Sequence, residues 1–138
     1  MGTWKLLDHT ADLALEAWGS TPEEALEALC SGLLAQITDP HAVEPRERVE
    51  IRAEGMDQAE ALVGFLGEIL YRINAHGWMF RRIEVAHAGE HEIRGAARGE
   101  PYDPGRHPFD LEVKAPTYHE LLFRPEAGGW HVRVVFDV

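Results

Sequence analysis

Two stretches of this chain combine helical apolar spacing with start and stop signals at both ends, and what lies between and after them alternates like strand. The first, TPEEALEALCSGLLAQITDP, offers Thr21 as a cap, Pro22 at the first helical position, and Glu24 to complete a capping box with Thr21. Its apolar stripe is Ala25, Leu26, Leu29, Cys30, Leu33 and Ile37, and Thr38–Asp39–Pro40 stops it. The second, MDQAEALVGFLGEILYRINAHG, is capped by Asp57 with Glu60 three residues on, and it closes through Asn74–Gly77. Its stripe is Leu62, Phe65, Leu66, Ile69, Leu70 and Ile73. Gly64 and Gly67 each weaken that helix by about 1 kcal/mol relative to alanine, which points to close packing against a neighbour.

The remainder reads as strand. Trp4–Leu7 and Leu13–Trp18 precede the first helix, and RVEIRAEG alternates with Val49, Ile51 and Ala53 inward. Beyond Gly77 the pattern predicts strands at Met79–Ala86, Glu92–Gly99, Leu111–Phe123 and His131–Asp137, with HAGEH and RPEAGGW as hairpin turns. The order is β-β-α-β-α-β-β-β-β, an α+β arrangement with a largely antiparallel sheet and two helices on one face. At 138 residues, with no linker-like segment and no repeat, residues 1–138 are expected to form one domain.

Charge and cysteine usage exclude several functions. There are 24 acidic against 13 basic residues, a formal net charge of −11, which repels phosphate backbones and anionic lipid. Tight direct nucleic-acid binding is therefore not expected. Cys30 is the only cysteine, so neither an internal disulfide nor a multi-cysteine zinc site can form, and its place on an apolar stripe marks it as an inert core residue. No run approaches the roughly 20 apolar residues of a membrane helix. The opening MGTWKLLDHTADL lacks a signal-peptide core, so a cytoplasmic setting is expected.

Asp8, His9 and Asp12 fall together in the DHTAD turn, where aspartate and threonine ordinarily satisfy backbone donors. A cation site needs further oxygens. Asp137 and the α-carboxylate of Val138 supply them if HVRVVFDV docks its end in the sheet beside Asp12. Three converging negative groups would then raise at least one carboxyl pKa unless a divalent ion bound. Asp39, in ITDP, is a second-tier ligand candidate whose simpler role is a turn, and Asp8 and His9 share that second tier. Lys114, two residues before Pro116, reads first as a solvated edge-strand lysine and second as a contact to a partner's acidic or phosphate group. His9, His107, His119 and His131 show neither i, i+4 metal spacing nor HExxH, and no P-loop, dinucleotide fingerprint or G-x-S-x-G is present.

Taken in order, DHTADLALEAWG, TPEEALE, ITDP, ARGEPYDPGRHPFDLEVKAPTYHEL and VVFDV resemble the archease family over essentially the whole chain. That resemblance implies a non-catalytic accessory of the GTP-dependent RNA ligase that joins 2′,3′-cyclic phosphate or 3′-phosphate ends to 5′-hydroxyl ends in tRNA splicing and RNA repair. It implies promotion of guanylylation of the ligase's histidine and of multiple turnover. It also implies a divalent cation, calcium first and magnesium or manganese next, held by Asp12, Asp137 and Val138, with Lys114 as a partner contact. Self-association is expected to be at most a weak homo-oligomer, and no membrane partner is expected. Two other classes are weighed: a general chaperone or modifier of RNA-processing enzymes, and a metal-dependent phosphoesterase using His9, His119 and Asp12.

Overall fold

Local capping chemistry builds both helices of the computed structural model, which describes residues 2–7 and 12–138. Helix α1 (Pro22–Ile37) starts where Thr21 Oγ1 accepts the Glu24 N–H at 3.1 Å. The Glu24 carboxylate reaches one residue further back than a simple capping box would have it, accepting the Ser20 N–H at 2.9 Å. Helix α2 (Gln58–His76) starts on Asp57, which accepts the Glu60 N–H at 2.8 Å, while Glu60 accepts the Met56 N–H at 2.9 Å. It ends at Gly77, whose φ of 70° is the left-handed conformation that glycine adopts without a Cβ penalty.

The strands are β1 (Thr3–Leu7), β2 (Leu13–Gly19), β3 (Glu47–Glu54), β4 (Trp78–Ala88), β5 (Glu92–Pro101), β6 (Ala115–Pro116), β7 (Leu122–Glu126) and β8 (Gly129–Asp137). A 3-10 turn, Pro40–Ala42, follows α1. The α+β class and the alternation of strands and helices are as expected, and every described strand pair is antiparallel. The strands divide between two sheets. One has the order β1-β2-β8-β6, with β7 also paired to β8, and the other has the order β3-β5-β4. Helix α1 packs against β2 of the first sheet and β4 of the second, and α2 lies on β3 while touching β6. Both helices thus lie between two sheets instead of on one face of a single sheet. This is why α1 buries Ala28, Gly32 and Leu34 in addition to its predicted stripe.

The predicted strand Leu111–Phe123 is corrected. Residues 111–114 are not strand, and only Ala115–Pro116 and Leu122–Glu126 pair with β8. The register jumps between them: Pro116 stands opposite Phe136 and Leu122 opposite Arg133, so residues 117–121 bulge out opposite Val134 and Val135 alone. The cause is local. Pro116 brings no N–H to a ladder, Glu120 has a φ of 52° that no strand accommodates, and Thr117 anchors the detour by donating both its N–H (2.9 Å) and its hydroxyl (2.7 Å) to the Val135 carbonyl.

Strand β4 carries register shifts between Phe80 and Arg82 and between Val85 and His87. The first lets Arg81 leave the ladder and donate to the Val43 carbonyl at 3.1 Å, tying the segment after the 3-10 turn to the sheet. The core gathers Leu15, Leu26, Leu29, Leu33, Phe65, Leu66, Phe80 and Phe136 with Cys30, whose thiol is pushed up by burial and is chemically quiet. Among the described residues no helix is long and apolar enough to cross a membrane.

The two helix glycines differ. A Cβ on Gly64 would sit 3.1 Å from the Ala53 Cβ, the close packing expected, whereas one on Gly67 would meet nothing within 4 Å. Gly67→Ala should therefore raise stability by about 1 kcal/mol, read as a higher urea midpoint. Gly64→Ala should gain less, because β3 must shift to admit the methyl group.

Candidate functional site

The β2–β8 ladder decides where the predicted carboxylates go. It runs from Gly19–Trp130 to Leu13–Phe136 without a break. Asp12 comes just before Leu13 and Asp137 just after Phe136, so the two aspartates flank the last pair of the ladder. Asp137 is exposed and Asp12 half-buried. Val138, also exposed, adds its carboxylate one residue beyond.

Lys114 stands at the same place. Its N–H donates to the Asp137 carbonyl at 2.9 Å, and Ala115 is the ladder partner of Asp137. It is not the mid-strand residue the sequence suggested but lies just before β6, exposed, and among the described residues it forms no ion pair.

Asp39 is occupied otherwise. Its Oδ1 accepts the His41 N–H at 3.0 Å and caps the 3-10 turn, and with Arg81 and Asp110 it lines a shallow depression at the end of α1. Among the described residues no three His, Cys, Asp or Glu side chains gather closely enough to share a metal. Asp8 and His9 lie outside the described residues. Among the described residues the candidate donors near this ladder end are the Asp12 and Asp137 side chains and the Val138 carboxylate. All are hard oxygens, which suit calcium or magnesium and not a thiolate- or imidazole-seeking metal.

The remaining histidines have structural partners. His131 stacks on Trp18 with ring centroids 4.9 Å apart, and its two nitrogens lie 2.6 Å from Glu126 and 3.4 Å from Glu16. His119 sits exposed in the bulge, 3.6 Å from Glu120.

His107 belongs to a buried cluster that sequence reasoning missed. The Asp103 N–H donates to His107 Nδ1 at 2.9 Å, so that nitrogen is the acceptor and the ring proton sits on Nε2, 2.8 Å from Glu100 Oε2. The other Glu100 oxygen accepts from Arg106 at 2.7 Å and lies 3.6 Å from Arg46, and the Glu44 N–H donates to Oε2 at 2.9 Å. Glu100 is 2% exposed and has all of these partners. Its carboxyl is held down at about 2, first by the Arg106 guanidinium, then by the Glu44 N–H, with His107 adding to both.

The cluster pins the start of the long GEPYDPGRHPFD loop. Further along, the Asp110 N–H donates to the Ile37 carbonyl at 2.8 Å, and the Asn74 amide donates to the Val113 carbonyl at 2.8 Å. The loop that delivers Lys114 to the chain end is thereby fixed to both helix termini. The only signal for this in the sequence was the concentration of charge around three prolines and two glycines.

The model of the archease protein family (MTH1598/TM1083) matches residues 4–138. The chain is 46% identical to Protein archease of Methanopyrus kandleri over 138 residues, covering 98% of this chain and 99% of that one. Its fold is similar to the solution structure of protein 1598 of Methanobacterium thermoautotrophicum, with a TM-score of 0.74, 30% identity and 98% of both chains covered. It is similar too to a crystal structure from Thermotoga maritima described as an archease, possible chaperone, with a TM-score of 0.66, 26% identity, and 97% and 96% of the chains covered. The chain belongs to the archease family.

Because the Glu100 carboxyl is depressed from 4.5 to about 2 in the folded protein, its stabilising contribution is complete above pH 4.5 and is lost as pH falls through about 2. Glu100→Gln should flatten the fall in the urea midpoint between pH 5 and pH 2 relative to the unaltered chain. Equal acid slopes would show that this cluster does not set acid stability.

Proposed function

We propose that this protein is a non-catalytic activator of a GTP-dependent RNA ligase that joins 2′,3′-cyclic phosphate or 3′-phosphate ends to 5′-hydroxyl ends, acting in the cytoplasm. Membership of the archease family supports the reading. The observation that supports it most is the β2–β8 ladder, which ends at Leu13–Phe136 next to Asp12 and Asp137, with the Lys114 N–H bonded to the Asp137 carbonyl. Asp12, Asp137 and the Val138 carboxylate would hold a divalent cation, calcium first, with water or groups of the partner completing the roughly six to eight oxygens that calcium takes. When bound, the ion supplies electrostatic organisation of phosphate oxygens, the kind of assistance that guanylylation of the ligase's histidine requires. Lys114 is placed to meet an acidic or phosphate group of the partner. The −11 charge of the chain favours a basic protein cleft over direct RNA contact.

The description of the Thermotoga maritima relative as a possible chaperone favours a second reading, help to RNA-processing enzymes in general. That reading predicts stimulation of unrelated clients with little dependence on Asp12.

The test is multiple-turnover ligation by the cognate ligase at limiting enzyme, with and without this protein. The intact protein should stimulate turnover. Asp12→Ala and Asp137→Ala should each lose at least tenfold of that stimulation while keeping native circular dichroism. Normal stimulation by both variants would remove the carboxylate tip from the mechanism, and none by the intact protein would overturn the ligase reading.

A further inference from the structure

Exposed large apolar side chains are not spread evenly over this molecule. Of the eight among the described residues, Tyr102, Phe109 and Tyr118 belong to residues 102–120, and Val138 is the chain end that this segment pairs to. They are between 37% and 58% exposed. Tyr102 and Phe109 meet edge to face with centroids 5.8 Å apart, and Tyr118 stands on the bulge that Thr117 pins to Val135. Tyr102 is also tied to the end of α2, its N–H donating to the Gly77 carbonyl at 2.7 Å. Exposed aromatics at a protein's surface are what interfaces enrich and scattered surface positions do not.

A second observation is independent of the first. The loop bearing these rings is not slack: the Glu100–His107–Arg106 cluster, the Asp110–Ile37 bond and the Asn74–Val113 bond hold it at successive points. Such anchoring lowers the ordering cost of binding.

We infer that residues 102–120, together with the Asp137–Val138 end, form the surface that docks into the enzyme partner. Tyr102, Phe109 and Tyr118 fill apolar pockets on the rim of a cleft whose floor is basic and receives the acidic tip. Charge selects this occupant. Asp110 and Glu112 are exposed on the same segment, so an RNA strand meets repulsion there, and so does a second copy of a chain with a net charge of −11. A protein cleft built to bind GTP phosphates is complementary in both respects. This inference rests on the ligase reading and adds to it the surface through which the ligase is engaged.

The test measures affinity for the cognate ligase separately from cation binding. Phe109→Ala and Tyr118→Ala, both at exposed positions, should each weaken binding to the ligase at least tenfold by biolayer interferometry. Calcium binding measured calorimetrically should be unchanged in both, and Met56→Ala, at an exposed position away from this segment, should bind the ligase normally. Full affinity in both aromatic variants, with the intact protein still stimulating ligation, would overturn the docking surface and leave the activator reading standing. An intact protein that neither binds nor stimulates the ligase would overturn both. A dimer in sedimentation velocity that Tyr118→Ala dissolves would assign the patch to a second copy of the chain and overturn the inference, as would RNA binding lost in the same variant.

Discussion

Helix α1 is the element on which both sheets depend. It buries nine of its 16 residues, and these do not fall on a single narrow stripe because β2 covers one side of the helix and β4 another. Each sheet buries part of its inner face on this shared helix, so the two have a common core instead of two small ones. Gly32 shows how close the fit is: a Cβ there would lie 2.7 Å from the Trp4 ring, so the edge strand β1 lies against the helix where it has no side chain. The end of the helix sets the geometry of the tip as well, because the backbone that anchors Asp110 is the last residue of α1.

What could be read from the sequence was whatever is decided locally. Thr21, Asp57 and Gly77 mark helix ends through bonds to residues a few positions away, and they behave in the fold as the pattern says. The β4–β5 and β7–β8 hairpins were legible for the same reason, the second turning through Ala127 and Gly128, both at positive φ. The division into two sheets was not legible, since nothing in an alternating segment states which strand it will pair with. The bulge was hidden too: EVKAPTYHELLF alternates well enough to pass for one strand, and the left-handed conformation of Glu120 is a property of the tertiary detour, not of glutamate.

The candidate site divides along the same line. Asp12 and Asp137 were nameable from residue type and from an apolar chain end, but that both flank one ladder end follows from a register only the fold defines. Asp39, read first as a turn residue and second as a ligand, caps the 3-10 turn. Glu100 looked like an ordinary surface glutamate, because the sequence gives no sign that an arginine, a histidine and a backbone N–H will converge on it in the interior. Buried charge is invisible in one dimension when its partners lie in a loop or on another element.

The pairing of β2 with β8 also orders events in time. These strands are separated by more than a hundred residues, and ladders between such distant segments form only after a large loss of chain entropy. During synthesis β2 has only β1 beside it, and a lone two-strand ribbon is marginal in water. The ladder end that Asp12 and Asp137 flank therefore forms only once the C-terminal strand has been made. Any chain cut short before β8 would carry the helices and the second sheet with an open, apolar β2 edge in place of a working surface.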